Sequence, residues 1–181
     1  MKFKKFKFKK VRSTNNTAIR IIKKTHYKYG MVISESQTNG KGQYGRKWIS
    51  HKGNLFVTFF HELNKIKLSI ATITKLNCLL IKKLISKYTN KKILYKKPND
   101  LFIDKKKICG ILQEIIFMQN KKYLITGVGI NINKSPYIKN CPTTNLNELT
   151  NKHVKIEEIE KSLKQIFENN LLKIYNLKVN N

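Results

Sequence analysis

The sequence predicts one α+β domain built on a mixed sheet flanked by helices. Three observations carry the prediction. Short apolar runs closed by turn residues recur along the chain, some of them meet in hairpins, and amphipathic helical stretches interrupt them without strict alternation. At 181 residues the chain is long enough for one proper core and hardly long enough for two.

Residues 3–11 alternate charge with Phe6, Phe8 and Val11 at the period of a strand. Ser13-Thr14-Asn15 supplies N-cap chemistry for a helix carrying Ala18, Ile21, Ile22 and Thr25 at helical spacing, with Gly30 as its expected stop. Residues 31–36 read as a short buried strand running into a glycine-rich loop, and residues 54–61 as a strand rich in aromatics. Ile70, Ile73, Asn77, Leu80, Ile81, Leu84 and Ile85 trace one face of a long helix over about residues 69–87. The strand at 93–96 stops at Pro98, which donates no ladder hydrogen bond. Residues 101–103, a polar turn at 104–106 and residues 108–117 predict a hairpin, and residues 119–122 turn back into a strand at 123–131. A loop over about 134–151 precedes a final helix with Ile156, Ile159, Leu163, Ile166, Leu171 and Ile174 on one face. The chain shows no internal repeat, linker or second domain.

Composition narrows the function classes. A hydrophobic content of 40% with nine Phe and eight Tyr marks a folded protein, and no run of 18 apolar residues offers a membrane span. The aromatic and basic start lacks the apolar block of a secretory signal. Cys78, Cys109 and Cys141 are odd in number and contain no CxxC, which points to a reducing compartment and a cytoplasmic protein. The formal charge of +28 invites a nucleic-acid reading. Lysine, however, supplies 35 of the 38 basic residues and is spread along the whole chain, the pattern of compositional drift rather than a binding stripe. His26, His51, His61 and His153 are too scattered for a metal site.

Polar chemistry concentrates in a few places. Gly40-Lys41-Gly42-Gln43-Tyr44-Gly45-Arg46-Lys47-Trp48 packs three of the eight glycines among cations and ends on the single tryptophan, a combination suited to holding an anion with backbone amides and side-chain charge. It is not a P-loop, which needs Lys and then Ser or Thr after its last glycine. Gly127-Val128-Gly129-Ile130-Asn131 lacks the third glycine of a dinucleotide fingerprint. Lys96-Lys97-Pro98-Asn99-Asp100 puts a lysine and one of only two aspartates at a strand end, and Lys107-Ile108-Cys109-Gly110-Ile111-Leu112-Gln113-Glu114 follows shortly after. Cys109 and Glu114 read as structural.

Taken in order, Ser13-Thr14-Asn15, the segment 35–48, Lys96 to Asp100, Lys107 to Glu114 and Gly127 to Asn131 form a series that resembles the catalytic domain of biotin–protein ligases over residues 10 to about 150. The resemblance implies the class II synthetase-like fold of the biotin and lipoate ligases. It also implies a two-step reaction: biotin and ATP form biotinyl-5'-AMP, and a lysine of a biotin carboxyl carrier protein then takes the biotinyl group. On the matched positions, Lys96 and Arg46 are the expected catalytic residues. Ser13, Thr14, Asn15, Gln37, Gly40, Lys41, Gly42, Gln43, Gly110, Ile111 and Leu112, with Lys96, are expected to meet biotin. Gly45, Arg46, Trp48, Asn99, Asp100, Lys107 and Asn131 are expected to meet ATP. Mg²⁺ is expected with ATP, with no ligands assigned.

The chain departs from the family pattern at three places. Lys97 stands where tryptophan is usual, Lys41 replaces a common arginine without its planar fork, and Gln43 replaces another, removing one cation from the loop. Residues 1–181 are expected to be this catalytic domain alone, without a preceding DNA-binding domain or the small β domain that often follows, and a homodimer is admitted. No specific nucleic acid or membrane partner is expected. Lipoate or octanoate transfer on the same fold is the nearest alternative, but the arginine-rich glycine-triplet segment with His-Asp, and the transferases' catalytic Cys or Lys, are not visible. A basic nucleic-acid-binding module is the alternative of another class.

Overall fold

The structure, a computed structural model, describes residues 2–63 and 68–176, with side chains through residue 170. Leu171 and Ile174, expected on the last helix's apolar face, therefore lie outside the described side chains. The elements in chain order are β1 (Lys4–Phe8), α1 (Thr14–Thr25), β2 (Tyr29–Ser34), β3 (Gly40–Lys41), β4 (Lys47–Trp48), β5 (Leu55–Glu62), α2 (Ile70–Ile85), β6 (Ile93–Lys96), β7 (Asp100–Ile103), β8 (Lys106–Met118), β9 (Lys121–Ile130), α3 (Leu146–Thr150) and α4 (Ile156–Asn176).

Among the described residues, seven strands form one sheet in the order β1-β2-β5-β9-β8-β7-β6. β1 and β2 pair in parallel, joined by α1 as a crossover, and every other pair is antiparallel. The mixed α+β sheet expected from the sequence is the one observed.

Alternation along the strands divides the core. Leu55, Val57 and Phe59 of β5 face Ile81, Leu84 and Ile85 of α2 and Ile159, Leu163 and Phe167 of α4, with Phe59 and Phe167 stacked at 4.1 Å. On the other face, Ala18 and Ile22 of α1 pack on Val32, Phe60, Tyr123 and Ile125. Because α1 packs mainly on β2, β5 and β9 and reaches β8 through Asn15 at its first turn, the rest of the β8–β7 side of that face is left for the functional site. No described helix is long and apolar enough to cross a membrane.

Several boundaries differ from the sequence reading: strand ends shift by one or two residues, and the first strand stops at Phe8, short of Val11. α1 ends at Thr25, where His26 turns left-handed (φ 55°) and its N–H caps Ile22 O, because no apolar residue continues the stripe after Ile22. Gly30 is not the stop. It lies buried in β2, where a β-carbon would come within 2.7 Å of the Phe60 ring. The stretch expected as loop also contains α3, capped by Asn145 accepting from Glu148 N at 2.9 Å.

Candidate active site

The site is built where the start of α1, the segment 40–48 and the β6–β7 turn converge on the face of β9 and β8 that α1 leaves open. Ser13 is the N-cap of α1 and is buried. Gln37 stands beside it because Val11 and Gln37 form a parallel bridge, with Thr38 N donating to Val11 O at 3.0 Å. The Gln37 carboxamide is held at both ends. Its Oε1 accepts from Thr14 N (2.8 Å) and Thr14 Oγ1 (3.1 Å), and its Nε2 donates to Ser50 Oγ (3.1 Å). Asn15 reaches across to the sheet, donating to Glu114 Oε2 (2.6 Å) and accepting from Thr58 Oγ1 (2.6 Å).

The glycine-rich segment is a small hairpin rather than a phosphate loop. Gly40 pairs with Trp48 and Lys41 with Lys47, Gly42 N donates to Arg46 O at 2.7 Å, and the tip at Tyr44 and Gly45 is left-handed. Gly45 (φ 73°) accommodates that turn without strain. The tip is exposed, and the hairpin arches over the sheet as a flap.

Trp48 closes the flap's base. Its indole lies against Gly110 and Gly129, which are direct cross-strand partners on β8 and β9. A β-carbon at Gly110 would stand 2.7 Å from Trp48 Cζ3, and one at Gly129 would stand 2.9 Å from Nε1. Lys107 Nζ sits 5.3 Å from the indole centroid and 2.7 Å from Asp100 Oδ2, joining ring, cation and carboxylate in one unit. Trp48 Nε1 and Asp100 Oδ1 are buried with no hydrogen-bond partner among the described residues. Such groups are costly in a finished core, and both residues line the cavity.

Lys96 ends β6, paired with Asp100 across the turn, and is exposed with Nζ 4.9 Å over the Phe102 ring. Asn99 is tied down, donating from Nδ2 to Ile111 O (2.5 Å) while its O accepts from Ile111 N (3.0 Å). Ile111 turns its side chain into the main core and presents backbone to the site.

These residues enclose a cavity of about 620 Å³. Of the residues singled out in the sequence, Ser13, Asn15, Gln37, Lys41, Gly42, Gln43, Arg46, Trp48, Lys96, Asn99, Asp100, Lys107, Gly110, Ile111 and Leu112 line it. Thr14, Gly40, Gly45 and Asn131 do not. Thr14 braces Gln37, Gly40 is buried at the flap's root, and Gly45 faces a shallower concavity on the flap. Asn131, 1% exposed, sits behind β8 and donates to Lys107 O at 3.4 Å. Lys41, Arg46, Lys47, Lys96, Lys97 and Lys107 line the cavity against a single carboxylate, Asp100. The space is therefore strongly cationic and suited to an anion with several negative charges.

Sequence reasoning missed Phe56, Ile138, Asn140 and Cys141, which complete the wall. No local pattern marks the 138–141 stretch. Gly127 and Gly129 carried a signal: two glycines at i and i+2 of a strand open one face twice. Cys109, beneath the site, is fully buried, and burial pushes its thiol well above the usual cysteine range, leaving it inert as a nucleophile.

A model of the biotin/lipoate A/B protein ligase family matches residues 7–131, which hold every cavity residue except those on the 138–141 stretch. The chain belongs to that family. It is 30% identical over 102 residues to the bifunctional ligase/repressor BirA of Escherichia coli (strain K12), covering 55% of this chain and 32% of that protein. It is 31% identical over 155 residues to biotin–protein ligase 2 of Arabidopsis thaliana, covering 77% and 44%. The chain thus spans about a third to less than half of the length of these curated relatives. Among solved structures, the family fold is matched with a TM-score of 0.80 and 27% identity by the biotin protein ligase from Aquifex aeolicus in complex with biotin and ATP, over 95% of this chain and 72% of that one.

Proposed function

We propose that this family member is the catalytic domain of a biotin–protein ligase, acting in the cytoplasm on a biotin carboxyl carrier protein. In the first step a carboxylate oxygen of biotin attacks the α-phosphorus of ATP. The new C–O–P linkage forms as the bond to the β-phosphate oxygen breaks, releasing pyrophosphate. In the second step a carrier lysine amine attacks the acyl carbon, AMP leaves with the bridging oxygen, and the amine loses its proton.

The observation that carries the reading is the charge of the cavity: six cations and one carboxylate around a space bounded by Ser13, Gln37 and the flap. Two anions must be brought together in the first step, and such transfer needs positioning and charge stabilisation more than covalent help. In this reading Lys96 offsets the repulsion between the biotin carboxylate and the α-phosphate, and Arg46 closes over the phosphates with the flap. Ser13 and Gln37 meet the ureido head group, which presents both donors and an acceptor. Trp48, Lys107 and Asp100 form the nucleotide side of the slot.

Mg²⁺ would accompany the phosphates. Among the described residues no three His, Cys, Asp or Glu side chains stand together. The unpartnered Asp100 Oδ1 nevertheless suits an ion held by one carboxylate plus substrate phosphates. Such an ion supplies charge neutralisation. The fixed residues supply orientation.

Exchange of labelled pyrophosphate into ATP tests the reading. Exchange that depends on biotin and is not supported by lipoate is the expected result. Exchange with lipoate and not with biotin would move the chain to the other branch of its family, and no exchange with either would remove the adenylation chemistry.

A further inference from the structure

Resting on the biotin reading, we infer that Glu114 is a positioning residue for the binding wall and acts through Asn15. The Asn15 side chain is 3% exposed and almost fully engaged by protein. Its Nδ2 donates to Glu114 Oε2 (2.6 Å) and to Leu112 O (3.5 Å), and its Oδ1 accepts from Thr58 Oγ1 (2.6 Å). Both amide hydrogens are spoken for, so a ligand can use only the remaining lone pair of Oδ1. A residue that the sequence alone assigns to ligand contact is, in the structure, chiefly a pin.

The pin enters a prepared socket. Thr58, Gly127 and Leu112 lie side by side in one row across β5, β9 and β8, and Glu114 stands two residues further along β8 on the same face. Only glycine at position 127 leaves room, since a β-carbon there would come within 3.0 Å of Asn15 Cγ and closer still to Oδ1. Glu114 supplies the acidic side chain of the set and accepts from Asn15 Nδ2 at 2.6 Å.

What the pin fixes is the first turn of α1. Ser13 and Thr14 precede Asn15 directly, and Thr14 holds Gln37 through two hydrogen bonds. Releasing Asn15 frees Ser13, Thr14 and Gln37 together, the wall assigned to the biotin head group. The nucleotide side of the cavity meets this cluster through Ser50, whose Oγ accepts from Gln37 Nε2 (3.1 Å) and donates to Trp48 O (3.3 Å). Trp48 is also paired to Gly40 and seated on Gly110 and Gly129, and Lys107 is paired to Asp100, so that side should move far less.

A double-mutant cycle on the full chain tests this. Biotin affinity is read by calorimetry, the KM for ATP by pyrophosphate exchange, and backbone amide exchange at Asn16 and Thr17 by NMR in the ligand-free protein. Glu114→Ala is expected to weaken biotin about tenfold with the KM for ATP changed less than about twofold. Glu114→Gln, which keeps an acceptor, should recover most of the loss. Thr58→Val, which keeps the shape, is the second probe should Glu114→Ala fold poorly, and should weaken biotin in the same direction. In an Asn15→Ala background neither Glu114→Ala nor Thr58→Val should add anything. Losses that add in the double variants, or unchanged biotin affinity in Glu114→Ala and Thr58→Val, overturn the inference. If the wild-type chain binds no biotin, the functional reading fails separately. Amide exchange then decides: exchange at Asn16 and Thr17 accelerated by Glu114→Ala only when Asn15 is present supports the pin, and unaltered exchange refutes it.

Discussion

The indole of Trp48 rests directly on the backbone of Gly129, where a β-carbon would come within 2.5 Å of Cε2. With its cross-strand partner Gly110, Gly129 forms a bare patch on the sheet, and the flap's tryptophan fills it. Because Trp48 is the single tryptophan, the contact reports on itself. Gly129→Ala is expected to lift the indole into water, shifting fluorescence to longer wavelength and raising the KM for ATP about tenfold. It should also lower stability by about 1–3 kcal/mol through overpacking. An unchanged emission maximum and KM would detach Trp48 from the nucleotide side.

Lys96 offers the contrasting case of a residue placed for chemistry and not for packing. It is exposed, and its one described contact is with the face of Phe102. Lys96→Ala should leave the unfolding free energy within about 0.5 kcal/mol of wild type. Adenylate formation, measured by pyrophosphate exchange, should fall by at least about 10³-fold. A normal rate would remove Lys96 from the reaction.

His61 sits on β5, 6% exposed, and among the described residues neither ring nitrogen has a hydrogen-bond partner. Burial lowers its pKa from 6.5 to about 4. The folded state therefore refuses a proton that the unfolded chain accepts below pH 6.5. Stability is complete above that value and is lost as pH falls toward 4. Urea unfolding should show a loss of about 2 kcal/mol between pH 7 and pH 5 from this group. His61→Leu should flatten that slope, and an unaltered slope would show that His61 is not its source.

The three cysteines differ in reach. Burial pushes Cys78 up to about 12 and Cys109 well above the usual thiol range, while Cys141 is partly exposed on the cavity wall. Brief treatment with iodoacetamide at neutral pH should alkylate Cys141 alone, and saturating ATP with biotin should slow it. Mass spectrometry of peptides checks both points. Comparable labelling of all three thiols, or no protection by ligand, contradicts the placement of the wall.

How much of this could be read in the sequence depended on whether the cause was local. The β7–β8 hairpin was legible because Asp104 and Lys105 at its turn are flanked by apolar runs, and both residues indeed turn left-handed. Ser13 was legible as a cap for the same reason. The end of α1 was not, because a histidine took the left-handed position that glycine usually fills. The meaning of Gly127 and Gly129 was not legible either. They read as a failed nucleotide fingerprint, yet each is a notch for a side chain that lies far away in sequence, Asn15 in one and Trp48 in the other. Nor could the commitment of Asn15 to Thr58 and Glu114 be foreseen, since its partners are 43 and 99 residues distant.

The most direct measurement is the intact mass of a biotin carboxyl carrier domain incubated with this chain, biotin, ATP and Mg²⁺. One added biotin on a single lysine, absent when Lys96→Ala replaces the wild type, is the predicted result. A carrier left unmodified by biotin but modified when lipoate and a lipoyl acceptor domain are supplied would contradict it.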